Sequence, residues 1–240
     1  MSDDNSPDNS IEAGGPVAVD RFFDLLTDDY TAVIERCFPR YREMLWALLE
    51  YLPGEVRPRN VLELGCGTGN LSVLLADRYQ DANIRMVDIS SESLQECERR
   101  FSPSPRLQFQ PADFRELEFA DAQFDLIVSS IAIHHLTSEE KRVMFGNINR
   151  WLTADGVFAY ADQHAGKTDD LNRKHIENWK ALTYSVGSTD EEWEMWMQHQ
   201  QQHDHHDSLL DQIDWLRDAG FTMIDCPWRY LLWAVLICQK

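Results

Sequence analysis

Three glycines at every second position, Gly65, Gly67 and Gly69, close the apolar run Val61-Leu62-Glu63-Leu64. Glycine reaches positive φ and brings backbone to within contact of a ligand that a Cβ would hold off, so this spacing predicts an extended, flat ligand lying on the turn. Two acids flank it. Glu63 stands two residues before the first glycine, where a carboxylate suits a ligand carrying an ammonium and works against a pyrophosphate. Asp88 ends Ile84-Arg85-Met86-Val87 and is placed to accept hydrogen bonds from both hydroxyls of a ribose. Three histidines, His134, His135 and His164, fall at the expected ends of later strands. An imidazole near neutral pKa is a fitting base for a hydroxyl or protonated amine, and His134 or His164 is preferred to His135, which adjoins Leu136 at a helix entry. Each of the three can equally be a satisfied structural histidine.

These groups need a scaffold that ends several strands at one place. Asn60 to Leu64 is a short bounded apolar run, and Leu71, Leu74 and Leu75 follow at helical spacing, so the glycines mark a strand breaking into a helix. A second strand ends at Asp88, and Ser90 to Ser93 offer capping hydroxyls to a helix from Ser91. Pro103 and Pro105 end that helix before a third strand, Leu107 to Gln110. Phe124 to Ser130 reads as a fourth strand, a helix runs from about Glu139 to Leu152, and Val157 to Asp162 reads as a fifth strand. Ligands of such sheets lie beyond the carboxyl ends of the parallel strands, which puts Ser129 to His135 against the bound molecule.

The pattern E-x-G-x-G-x-G at Glu63, Gly65, Gly67 and Gly69, with F-D-L-I-V and H-H-L from Phe124 to Leu136, resembles the class I S-adenosylmethionine (SAM) dependent methyltransferases. The resemblance covers about Val56 to Lys240. It implies an α/β fold with a Rossmann-like, doubly wound sheet of seven strands, mostly parallel with a C-terminal antiparallel hairpin from Phe221 to Cys226 and Tyr230 to Cys238. N-terminal helices and a helical insertion after the fifth strand complete it. It also implies SAM as cofactor, S-adenosylhomocysteine as product, and methyl transfer to a small-molecule acceptor. Carried over residue by residue, it gives Asp113 to the adenine amino group and Phe114 to the adenine ring, and adds Tyr41, Cys66, Ile89 and Ser129 to the cofactor site. A turn aspartate beside a core phenylalanine is the plainer reading of the Asp113 pair. Within the superfamily, Phe38 to Tyr41, Ala219 to Phe221 and the final hairpin resemble carboxy-SAM synthase. The arginine that grips the added carboxylate in that family aligns with Trp215, which cannot make a charge-assisted bidentate contact. Ordinary methyl transfer is preferred for that reason, with carboxy-SAM synthesis and inert SAM binding as alternatives.

The remaining segments are less specific. Residues 1–17 read as a disordered tail and 18–55 as a helical cap, with Tyr41, Leu45, Leu48, Leu49 and Leu52 at helical spacing. From about 165 to 207 the α/β rhythm gives way to helices rich in Trp, Gln, Met and His. Trp179, Trp193 and Trp196 there are either core or the lining of an acceptor site under a mobile cover. His199 and His203 share a helical face, and His203-Asp204-His205-His206-Asp207 can bind a metal fortuitously; no motif supplies further ligands, so no metal is assigned. A net charge of −19 over 240 residues repels phosphate backbones, which argues against nucleic acid and for small molecules. Five scattered cysteines, no C-x-x-C pair and no membrane-length apolar run point to a soluble, cytoplasmic protein with no membrane partner, and leave a homodimer open.

Overall fold

The computed structural model describes residues 34, 36–38, 40–54 and 56–240. The tail expected over 1–17, and the cap before residue 34, lie outside them. In chain order the elements are α1 (Tyr41–Glu50), β1 (Asn60–Leu64), α2 (Asn70–Arg78), β2 (Asn83–Asp88), α3 (Ser91–Arg99), β3 (Leu107–Pro111), β4 (Phe124–Ser130), α4 (Ser138–Trp151), β5 (Leu152–Gln163), α5 (Asp169–Ser185), α6 (Asp190–His203), α7 (Leu209–Asp218), β6 (Met223–Tyr230) and β7 (Trp233–Gln239). Short 3-10 turns at Phe114–Glu116 and Ile133–His135 follow β3 and β4.

The seven strands form one sheet in the order β3-β2-β1-β4-β5-β7-β6. β1 to β5 pair in parallel, and β7 runs antiparallel to both β5 and β6. The chain winds outward from β1 through β2 and β3, then returns to β4 on the other side of β1. The order therefore reverses between β1 and β4, and a crevice opens beyond their carboxyl ends.

Strand periodicity separates two cores. On one face Val61, Val157, Ala159, Val235 and Ile237 pack with α1, α2, Trp179 and Trp193. On the other Leu62, Leu64, Phe158, Tyr160 and Leu236 pack with α4 and Leu216 of α7. Both sets are almost wholly buried, as central strands covered by helices on both faces must be. Caps mark the helix starts: Ser90 accepts from Ser93 N–H, and Thr137 and Glu140 form a reciprocal capping box.

Two strand boundaries differ from the sequence reading for a reason the pairing shows. β5 begins at Leu152 rather than Val157, because Leu152 pairs with Phe124 before a register shift brings Val157 opposite Leu126. Tyr230 closes β6 rather than opening β7, since it pairs with Trp233 across a tight turn where Leu231 takes φ 51°. Among the described residues no helix is long and apolar enough to cross a membrane.

Candidate functional site

The glycine turn is built as its spacing predicts, and each glycine has its own reason. Gly65, Gly67 and Gly69 have φ of 71°, 52° and 86°. A Cβ on Gly65 would stand 2.3 Å from Ala132 Cβ, and one on Gly69 2.6 Å from Cys97 Sγ, so these two are fixed by packing. A Cβ on Gly67 meets nothing within 4 Å and would project into open space. Gly67 N–H donates to Asp88 Oδ2 at 2.6 Å and Ser90 N–H to Asp88 Oδ1 at 2.9 Å, which locks the turn to the end of β2.

Above this turn lies a cleft bordered by Tyr41, Glu63, Asp88, Ile89, Phe114 and His135. Glu63 is 1% exposed and accepts from Ser72 Oγ–H at 2.6 Å. Burial pushes its carboxyl well above the ordinary range, Cys97 and Asp88 push it the same way, and the Ser72 bond opposes them. Such a carboxyl lacks the counter-charge that a cationic ligand brings.

Not every predicted residue borders this cleft. Gly65, Cys66, Gly67 and Phe114 do. Gly69 caps α2 beside it. Asp113 caps the turn after β3, and its carboxylate is held by the Arg115 guanidinium at 2.5–2.9 Å, so of that pair only Phe114 faces the cleft. Ser129 is fully buried and donates to Leu64 O at 2.8 Å, tying β4 to β1.

A second cavity lies alongside, with Phe38, Trp179, Trp196 and Trp233 as its apolar walls and His134, Gln163, Gln200 and Asp204 as polar groups. Ile131 borders both spaces and sits at φ 53°, an uncommon conformation for a β-branched residue, held by Ile131 N–H to Ala161 O at 2.8 Å. Nothing in its sequence context signals this role.

The histidines divide differently from the expectation. His134 lines the second cavity and His135 the cleft, whereas His164 borders neither. His164 is 1% exposed; Gln212 Nε2 donates to its Nδ1 at 3.0 Å, and Tyr160 Oη donates to Gln212 Oε1 at 2.9 Å, which fixes the amide's orientation. Burial drives its pKa down to about 3. Its expected place facing the pocket is therefore corrected: it is buried against Gln212 at the end of β5 and borders neither space. Burial would lower His134 too, but the Asp162 and Asp204 carboxylates override it and hold that imidazole above its ordinary value. Trp215 also borders neither cavity; it lies on α7 under the Arg142 guanidinium, 4.6 Å from the ring centroid, so its identity carries no argument about the cofactor.

Residues 61–156 match the family described as methyltransferase domain. The matched stretch, β1 through the first residues of β5, carries a methyltransferase domain. Malonyl-[acyl-carrier protein] O-methyltransferase from Geobacter sulfurreducens is 33% identical over 159 residues, 66% of this chain and 55% of that protein. The chain thus spans about half the length of that relative. Carboxy-S-adenosyl-L-methionine synthase from Helicobacter pylori is 22% identical over 215 residues, 87% of this chain and 89% of the synthase. In fold, the methyltransferase domain and its flanking elements are similar to human N-acetylserotonin methyltransferase solved with SAM, at a TM-score of 0.58 and 14% identity over 92% of this chain and 55% of that one.

Proposed function

We propose that the chain transfers a methyl group from SAM to a small, largely apolar acceptor. The observation that carries this reading is the pair of adjoining spaces: a cleft whose polar groups suit SAM, and an aromatic-walled cavity across Ile131. The fit to SAM rests on this chain's own residues. The open space over Gly67 admits a ligand against the backbone, the buried Glu63 carboxyl calls for the ammonium, Asp88 brings a carboxylate to the border of the cleft where a ribose would lie, and Phe114 offers a ring face.

Bound SAM supplies a methyl group already activated by its sulfonium. What falls to the protein is positioning, which for well-oriented partners is worth roughly 7–11 kcal/mol, and exclusion of water. The aromatic walls contributed by Phe38, Trp196 and Trp233 desolvate the acceptor, and Gln163 and Gln200, bonded to each other at 3.0 Å, orient it. His134, His135 and Asp204 stand on the wall between the two spaces, beside any acceptor held there. Among the described residues lining the second cavity none is Lys or Arg, which favours a neutral acceptor over a phosphorylated one.

Carboxy-SAM synthesis is the second reading, favoured by the near full-length likeness to the Helicobacter pylori synthase. Against it, the described residues lining the cleft include no Lys or Arg to pair with an added carboxylate. All five cysteines are free thiols, which supports placing this enzyme in a reducing, cytoplasmic compartment. Incubation with methyl-labelled SAM and a metabolite extract, followed by mass spectrometry, tests the reading. Labelled methyl in an acceptor with S-adenosylhomocysteine release is expected; a heavier SAM derivative would establish the synthase reading, and SAM binding with no product would reject both.

A further inference from the structure

The histidine-rich stretch after α6 lacks partners in sequence, but the fold supplies them. The loop that follows α6 is drawn against the 3-10 turn after β4 by His205 N–H bonding to His134 O at 2.8 Å. The fully buried Lys141 ammonium grips the same loop, donating to His205 O and to Asp207 Oδ2. This puts the Asp204 carboxylate, its side chain 4% exposed, among imidazoles from two other segments. His134 Nε2 stands 3.7 Å, His135 Nδ1 3.1 Å and His199 Nε2 3.5 Å from Asp204 Oδ1.

We propose that His134, His135 and Asp204 form a binding site for one divalent first-row transition ion of the zinc type, on the wall between the cofactor cleft and the acceptor cavity. Ligand atoms at about 2.0–2.1 Å from a tetrahedral centre stand roughly 3.3–3.5 Å apart, so the two His-to-Asp204 separations bracket what an ion needs. One potential ligand atom from each of the three lies within 4.8 Å of the others. Two imidazoles and one carboxylate leave coordination positions open for a substrate.

A second, independent feature points the same way. Asp162 holds the other side of His134: Oδ1 lies 2.5 Å from Nδ1, and Oδ2 accepts the His134 backbone N–H at 2.9 Å. A carboxylate on the distal nitrogen fixes the tautomer that turns Nε2 toward the ion, and is the usual outer support of a metal-bound histidine. His134 and Asp204 border the acceptor cavity and His135 the cofactor cleft, so the ion would polarise an acceptor oxygen, nitrogen or sulfur beside the methyl donor. This rests on the acceptor assignment only for the ion's role; the binding site itself stands without it.

The competing account is a proton shared by His134 with its two carboxylates. Full-length protein stripped with a chelator and titrated with Co²⁺ separates the two. The expected result is one equivalent bound, with the visible absorption of a low-symmetry site. Asp204→Asn and His135→Gln should abolish that band, Asp162→Asn should weaken binding about 10–100-fold, and His203→Ala should leave it intact. Folding is checked by circular dichroism, and SAM affinity is measured on the same metal-free samples, so failure of the cofactor reading shows separately. A folded wild-type protein that binds no stoichiometric Co²⁺, or a band that survives in Asp204→Asn and His135→Gln, overturns the proposal.

Discussion

Glu63 is a carboxyl in a nearly dry site that accepts one bond from Ser72 and has thiol and carboxylate rather than cation beside it, which a ligand ammonium would relieve. Glu63→Gln keeps the shape and removes the charge. A hydrogen bond involving a charged group is worth roughly 1.5–3 kcal/mol, so SAM affinity by calorimetry should fall roughly ten- to hundredfold while the fold survives. Gly67→Ala probes the other contact: its methyl enters open space, so SAM binding should weaken, with only about 1 kcal/mol of stability lost to the positive φ. Unchanged SAM affinity in both folded variants would remove the cofactor assignment. His164 makes a prediction about pH. Its folded pKa is drawn down from 6.5 to about 3, so between those values the unfolded chain holds a proton that the folded chain does not. Stability therefore falls as pH drops below 6.5 and is flat with respect to this group above it. The slope is about 1.4 kcal/mol per pH unit, and urea denaturation from about pH 8 to about pH 5 should show His164→Asn with a flatter acid limb by that amount.

At the scale of elements, α5 and α6 carry both halves of the ambiguity over the tryptophans. Trp179 is 2% exposed, donates from Nε1 to Cys37 O at 2.6 Å and meets Trp193 and Trp233 edge-on. Its helix is pinned to the sheet by this contact, so Trp179→Ala should cost about 3–5 kcal/mol and activity should fall with melting temperature. Trp196 is only partly buried and faces the second cavity. Trp196→Ala should raise the acceptor KM well above its effect on SAM affinity or on melting temperature. If the two variants lose acceptor turnover and stability in the same proportion, Trp196 is core as well, and the aromatic-wall account of the acceptor site falls.

For the whole molecule, the cleft sits at the switch between β1 and β4, so a ligand there bridges the two halves of the sheet. A ligand that binds only the folded chain stabilises it by about 2.7 kcal/mol at about 100 times its Kd. For a chain of this size that is roughly 5–10 °C in Tm. Differential scanning fluorimetry with SAM and with S-adenosylhomocysteine should show shifts of that order, and NAD should show none. A comparable shift with NAD would mean that the glycine turn does not discriminate as Glu63 implies.

The floor of the cleft was legible in the sequence because the turn that builds it is local. Gly65, Gly67 and Gly69 all take positive φ within one turn, and Glu63 and Asp88 sit at strand ends that alternation and length mark out; the contacts that exclude a Cβ at Gly65 and Gly69, from Ala132 and Cys97, come from elsewhere in the fold. The strands follow from the same short-range patterns, to within a few residues at Leu152 and Tyr230, and their pairing into a parallel sheet with a terminal hairpin is what the family resemblance implied. The second cavity and the histidine cluster were not legible, because no spacing rule connects their parts. His134 and His135 meet Asp204 only after two helices have folded back over the sheet and Lys141 has pinned the intervening loop. Type and spacing likewise could not separate His164 from His134, one enclosed against Gln212 at the end of β5 and the other bordering a cavity. Side chains next to one another at a strand end can point to opposite sides of a wall, and only packing decides which side holds solvent, ligand or core.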